Sequence, residues 1–190
     1  MAETFPILIN YIEIVQKLAN RFIEINKVNP PTDIFSLARK YAKLTTIYIP
    51  YEVDGITYKK GKEHFIIINE DRSPRRIRFT IAHEIGHVII PWHLGDIIDI
   101  NTQMYIDSDI ERQANIFASE ILMPHNWIEK IIQSSDDIEE ITEKIVREAD
   151  VSPFAATIRI VGEYSPGFVF AIVDEDGTII SSGKTNGTMD

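Results

Sequence analysis

His83-Glu84-Ile85-Gly86-His87 is the feature that most limits how this chain can fold. Two histidines four apart meet only on a helix, where they share a face and stand about 6 Å apart along the axis. A chain with this histidine and acid content holds about 0.01 such His-Glu-x-x-His runs by chance. At about 100° per residue from Ile77, the residues Ile81, Ala82, Ile85, Val88 and Ile89 fall between about 20° and 140° and form a core stripe. His83 and His87 fall at about 240° and 280°, so both imidazoles share the other side. Gly86 borders the stripe, where a missing side chain admits a second element closely.

Two imidazoles so placed can close on one ion. Zinc takes imidazole nitrogen at about 2.0–2.1 Å in tetrahedral geometry. Glu84 projects at about 340°, beside the pair, where a base can hold a water next to the metal without ligating it. A catalytic zinc usually has three protein ligands, so one more is needed. His93 is one candidate: His83, His87 and His93 have the H-x₃-H-x₅-H spacing of one zinc-peptidase class. That class turns the chain with a glycine where this one has Ile90 followed by Pro91. Glu111 is the other candidate. On a helix counted from Asp107 it falls at about 40°, among Ala114, Asn115, Ala118 and Leu122, a small-residue face suited to close packing. A carboxylate buried there needs a partner such as a metal. Ser108-x-x-Glu111 also fits a capping box. Glu120 shares the opposite, wet face with Asp109, Arg112 and Gln113. Tyr105, His93 and His125 are the candidate donors to a developing oxyanion. Asn115 is a candidate to hold a ligand in place.

The rest of the chain reads as α+β. Apolar residues at helical spacing (Ile9, Ile12, Val15, Leu18, Phe22) predict a helix over 6–26, stopped by Asn29-Pro30-Pro31. Thr32 or Asp33 caps a second helix over 34–43. Strands are expected at 46–50, 56–58 and 64–68, with Val53-Asp54-Gly55 as a turn. Helices over 75–90 and 107–122 follow, joined by a loop, then short helices at 126–133 and 137–148. Ser152 and Pro153 start another to about Tyr164. Residues 168–173 and 178–181, around Asp176-Gly177, carry a hairpin signal.

Composition bounds function. Without cysteine there are no disulfides, thiolate metal sites or cysteine nucleophiles. A net charge of −10 repels phosphate backbones, so nucleic acid is excluded as the main partner. The start lacks the cationic and apolar runs of a secretory signal, and no apolar run is long enough to span a bilayer, so a soluble cytoplasmic protein is expected. Arg72, Arg75, Arg76 and Arg78 form the one basic cluster, a docking site for acidic groups or a solvated face with ion pairs. Residues 137–164 have the outline of a helix-turn-helix, but 136–163 carry eight acids against three bases, the wrong sign for DNA.

The run Arg76-Ile77-Arg78-Phe79-Thr80-Ile81-Ala82-His83-Glu84-Ile85-Gly86-His87 resembles the core motif of ImmA/IrrE-type metallopeptidases. So does Glu111-Arg112-Gln113-Ala114-Asn115-Ile116-Phe117-Ala118, with Leu122-Met123-Pro124 after it. Weaker similarity runs through 33–48, 66–69 and 151–160. The resemblance implies a zinc ion on His83, His87 and Glu111, with Glu84 as catalytic base. It implies a gluzincin-like endopeptidase, of the kind carried by bacteria, phages and mobile elements, that cleaves helix-turn-helix repressors. The expected architecture is a single domain over 1–190: an N-terminal helix (1–30), a helical zincin-like core with a small antiparallel sheet (31–135), a helix-turn-helix-like packing element (136–164) and a C-terminal β-hairpin (165–190). The chain is too short for the DNA-binding or sensor modules that members often add. The alternatives are a zinc-binding regulator or sensor without turnover, and a helix-turn-helix module. Oligomeric state is unreadable from the sequence.

Overall fold

A computed structural model describes residues 11–93, 97–100, 108–163, 169–173 and 176–184. Within these the chain runs α1 (Tyr11–Asn26), α2 (Ile34–Arg39), β1 (Lys43–Ile47), β2 (Val53–Lys60), β3 (Glu63–Asn69), α3 (Pro74–Ile89), β4 (Ile97–Ile100), α4 (Ser108–Leu122), α5 (His125–Ile132), α6 (Ile138–Ala149), α7 (Pro153–Glu163), β5 (Val169–Val173) and β6 (Ile179–Lys184). Short polar side chains start several helices by accepting orphan backbone N–H groups. Asp33 accepts from Ser36 N at 3.1 Å, Asp137 from Glu139 N at 2.9 Å and Ser152 from Ala155 N at 3.1 Å. Ser73 caps α3, with Pro74 opening it. No helix among the described residues is long and apolar enough to cross a membrane.

The first sheet has the order β1-β3-β2-β4. Gly61, at φ 64°, turns β2 into β3, and the two pair antiparallel from Gly55↔Ile68 to Lys60↔Glu63. The expected antiparallel sheet is in fact mixed, because β1 runs parallel to β3 from Lys43↔Phe65 to Ile47↔Asn69. The reason is topological: β1 and β2 run in opposite directions and β3 is inserted between them. That long-range pairing also shortens the second helix, which ends at Arg39 rather than Lys43 and yields residues 43–45 to β1. Gly55, expected in a turn, lies inside β2. The segment between α3 and α4, expected as a loop, contributes β4, which pairs antiparallel with β2 through Gly55↔Asp99, Ile56↔Ile98 and Thr57↔Ile97. β5 and β6 form a separate antiparallel pair.

One core joins sheet and helices. Ile66 and Ile68 of β3 share it with Ile81 and Ile85 of α3, while Phe22 of α1 packs edge-on against Phe117 of α4 at 5.4 Å. α3 and α4 approach most closely at Gly86, where a Cβ would stand 3.3 Å from Ala114 Cα and 3.4 Å from Phe117 Cβ. The small residue read beside the core stripe is thus where the second helix comes in. α6 and α7 pack together below, and their turn is tied to α3: Arg75 and Arg78 both reach the Asp150 carboxylate at 3.3 Å. Arg72 and Arg76 bind Asp54. The basic cluster is therefore a set of ion-paired groups that dock α3 on its neighbours.

Candidate metal centre

α3 is buried on every side over its middle. Thr80 through His87 are all buried, because α4 covers the histidine side and β2 the Glu84 side. The helix therefore delivers His83 and His87 into the interior, one turn apart. The two Nε2 atoms stand 2.9 Å apart. Glu111, in the first turn of α4, brings Oε2 to 3.0 Å from His83 Nε2 and Oε1 to 3.6 Å from His87 Nε2. One ligand atom from each of the three lies within 4.8 Å of the others.

These distances fit a cation. Ligands at about 2.0–2.1 Å from a tetrahedral centre stand about 3.3 Å from one another, the middle of the observed range. The polarity fits as well. Asn115 Oδ1 lies 2.9 Å from His83 Nδ1; an amide oxygen accepts, so that nitrogen carries the ring proton and Nε2 presents a lone pair. Glu111 Oε1 is buried with no hydrogen-bond partner. Burial is the main force on His87, pushing it down to about 4, so the ring is neutral and able to ligate near pH 7. A carboxylate and two imidazoles converging on one point, both histidines buried and Glu111 partly so, are the donor set of a divalent cation.

Glu84 is fully buried on the flank of α3 next to the histidines, against β2. Thr57 Oγ1 donates to its Oε2 at 2.5 Å. Gly55, two residues earlier on the same face of β2, leaves the room: a Cβ there would stand 2.3 Å from Glu84 Oε1. β2 is held in place by Asp54, which is 2% exposed and takes Arg72 Nε at 2.5 Å and both Nε and NH2 of Arg76. Burial, the largest influence, would raise the Asp54 carboxyl; hydrogen bonds from Arg72 and then Arg76 win and hold it below the usual carboxylate range. Sequence reading missed Gly55 and Thr57. A glycine inside a strand pattern, two residues from a threonine, was the available signal for close approach of another group.

The other candidates separate by position. His93 is brought to the cluster but meets the far side of His87, Nδ1 to Nδ1 at 2.9 Å. His125 lies at the exposed start of α5. Tyr105 falls outside the described residues. The wet-face reading of Glu120 and Gln113 is corrected: both are buried, Glu120 against Arg159 of α7 and Gln113 against Trp92 and His93, which follow α3. Glu120 makes a two-pronged pair with Arg159 of α7 at 2.9 Å, and Gln113 accepts from Trp92 at 2.6 Å.

The chain has relatives consistent with this geometry. It is 27% identical over 146 residues to the radiation response metalloprotease IrrE of Deinococcus deserti, covering 75% of this chain and 52% of that one. It is 28% identical over 74 residues to the metallopeptidase ImmA of Bacillus subtilis, covering 39% and 43%. It spans about half the length of these curated relatives. A solved structure titled Mycobacterium tuberculosis transcriptional regulator shares the fold, with a TM-score of 0.59 at 14% identity over 92% of this chain and 56% of that one. The family model described as IrrE N-terminal-like domain matches residues 39–161, from the end of α2 into α7 and through every residue of the cluster, and the chain belongs to that family.

Proposed function

We propose that this chain is a zinc-dependent endopeptidase of gluzincin type, a zincin-like core acting in the cytoplasm on a protein substrate, with a helix-turn-helix transcriptional repressor as the substrate class. The observation that carries the reading is the convergence of the buried His83 and His87 and the partly buried Glu111 on one point, with Glu84 next to His83 on the same helix. His83, His87 and Glu111 would hold the ion, and a His₂Glu donor set is one that zinc takes in peptidases. When bound, zinc supplies Lewis-acid activation of a water and of the scissile carbonyl. Glu84 accepts the proton of the attacking water and returns it to the amine nitrogen as the peptide bond breaks. Thr57 fixes the Glu84 carboxylate through Oε2. Asn115 holds the His83 ring in the tautomer that ligates.

The test is incubation of the purified chain with a small helix-turn-helix repressor. Two discrete fragments are expected, lost on chelation and restored by zinc. Glu84→Gln is expected to keep zinc and lose cleavage by about 10²–10⁴-fold. An intact repressor in the presence of zinc rejects the substrate class, and undiminished cleavage by Glu84→Gln rejects the base.

A further inference from the structure

A donor that cannot accept sits at the far end of the His87 contacts. The Trp92 indole N–H, held by the tilted ring of Tyr11 at 5.8 Å, donates to Gln113 Oε1 at 2.6 Å. Indole nitrogen is donor only, so the amide atom facing it is the carbonyl oxygen. That oxygen also lies 3.1 Å from His93 Nε2, and an oxygen accepts, so His93 Nε2 carries its proton. In the neutral ring, which has one N–H, this leaves His93 Nδ1 as the acceptor nitrogen. His93 Nδ1 faces His87 Nδ1 at 2.9 Å, so His87 must donate from Nδ1. His87 Nε2 is then a lone pair, aimed at the point shared with His83 and Glu111. His93 and Gln113 are each 7% exposed, so solvent competes little for these bonds.

We propose that Trp92, Gln113 and His93 are positioning residues: a one-way chain of hydrogen bonds that locks His87 in the tautomer able to bind the cation. The role of His93 is then to orient a ligand from behind. The inference rests on the metal-site reading above. It extends control of the site to the Pro91–His93 segment and to Gln113 on α4, a side chain that touches no ligand atom. The order of the chain is set at its outer end, by the only group in it that has no choice of role.

The test reads histidine ring nitrogens by long-range ¹H–¹⁵N correlation in the zinc-loaded and metal-free full chain, with zinc affinity measured by chelator competition. His93 is expected to show a protonated Nε2 and a bare Nδ1 in both states. Gln113→Leu removes the acceptor and is expected to weaken zinc affinity about 10–100-fold, the usual effect of losing a ligand's outer partner. Trp92→Phe keeps the ring packing and frees the amide to turn; a second His93 tautomer is expected in its spectrum, with a smaller affinity loss. Adding Gln113→Glu to Trp92→Phe restores an acceptor-only group and is expected to return the single tautomer. A His93 protonated at Nδ1 in the wild type, or a folded Gln113→Leu with wild-type affinity, overturns the chain. A wild type that takes up no zinc overturns the metal reading instead, while the metal-free spectrum still decides the hydrogen-bond order.

Discussion

On one flank of α3, two histidines meet a carboxylate from α4; on the adjoining flank, Glu84 meets a strand. The first contact is helix on helix. His83 and His87 share a face because they are four apart, and Glu111 lies on the same small-residue face of α4 that carries Ala114 and Ala118. Each partner's orientation is set by its own local period. The second contact is helix on strand. Gly55 and Thr57 reach Glu84 only because β2 pairs with β3 and β4 in one register. A slip of one residue would put Ile56 against the carboxylate. The cation side therefore depends on how two helices pack, and the base side on how strands pair. Asp54 guards that dependence, since its bonds to Arg72 and Arg76 tie the start of β2 to the first turn of α3.

The contrast can be broken from either side. Glu111→Ala should have the largest effect on metal: zinc affinity is expected to fall by more than the 10–100-fold typical of an outer partner, because a ligand itself is gone. Mass spectrometry under native conditions reads this directly, and full zinc occupancy in that variant at low free zinc would refute the assignment. Gly55→Ala should do the reverse. Its methyl has to displace the Glu84 carboxylate, so cleavage is expected to fall about 10²-fold, as for a misplacement near 1 Å, with zinc affinity unchanged. Loss of metal together with activity would show that the two sides are not separable.

Thr57→Val removes one hydrogen bond to a charged group and is expected to lower turnover roughly tenfold. Thr57→Ser should recover most of it, and a Ser variant as slow as Val would point to methyl packing instead. The smallest effect belongs to Asp54→Asn, at about 1 kcal/mol of stability near neutral pH, because Arg76 is partly open to solvent that screens its charge. The sign follows from a carboxyl held below its unfolded value of about 3.9. The stabilisation is full above about pH 4 and disappears as pH falls through the folded value. Denaturant titrations of both proteins should therefore differ at pH 7 and converge in acid; a constant gap would reject the ion-pair account.

What the sequence determined by itself was local and periodic. His-Glu-x-x-His on an apolar stripe dictated a helix with both imidazoles on one side, Gly86 marked the close approach of a second helix, and the small-residue face of α4 made Glu111 a candidate ligand beside His93. The cap of α7 at Ser152 and that of α2, read at Thr32 or Asp33, were equally legible, because a capping side chain acts within three residues of itself. Tertiary structure alone decided the rest. It made β1 parallel to β3, drew a strand from the segment after α3, buried Glu120 and Gln113 on a face that a helical wheel leaves wet, and turned His93 to the back of His87. Each of these depends on groups far apart in sequence, and periodicity says which side of an element is apolar but not what arrives to cover its polar side.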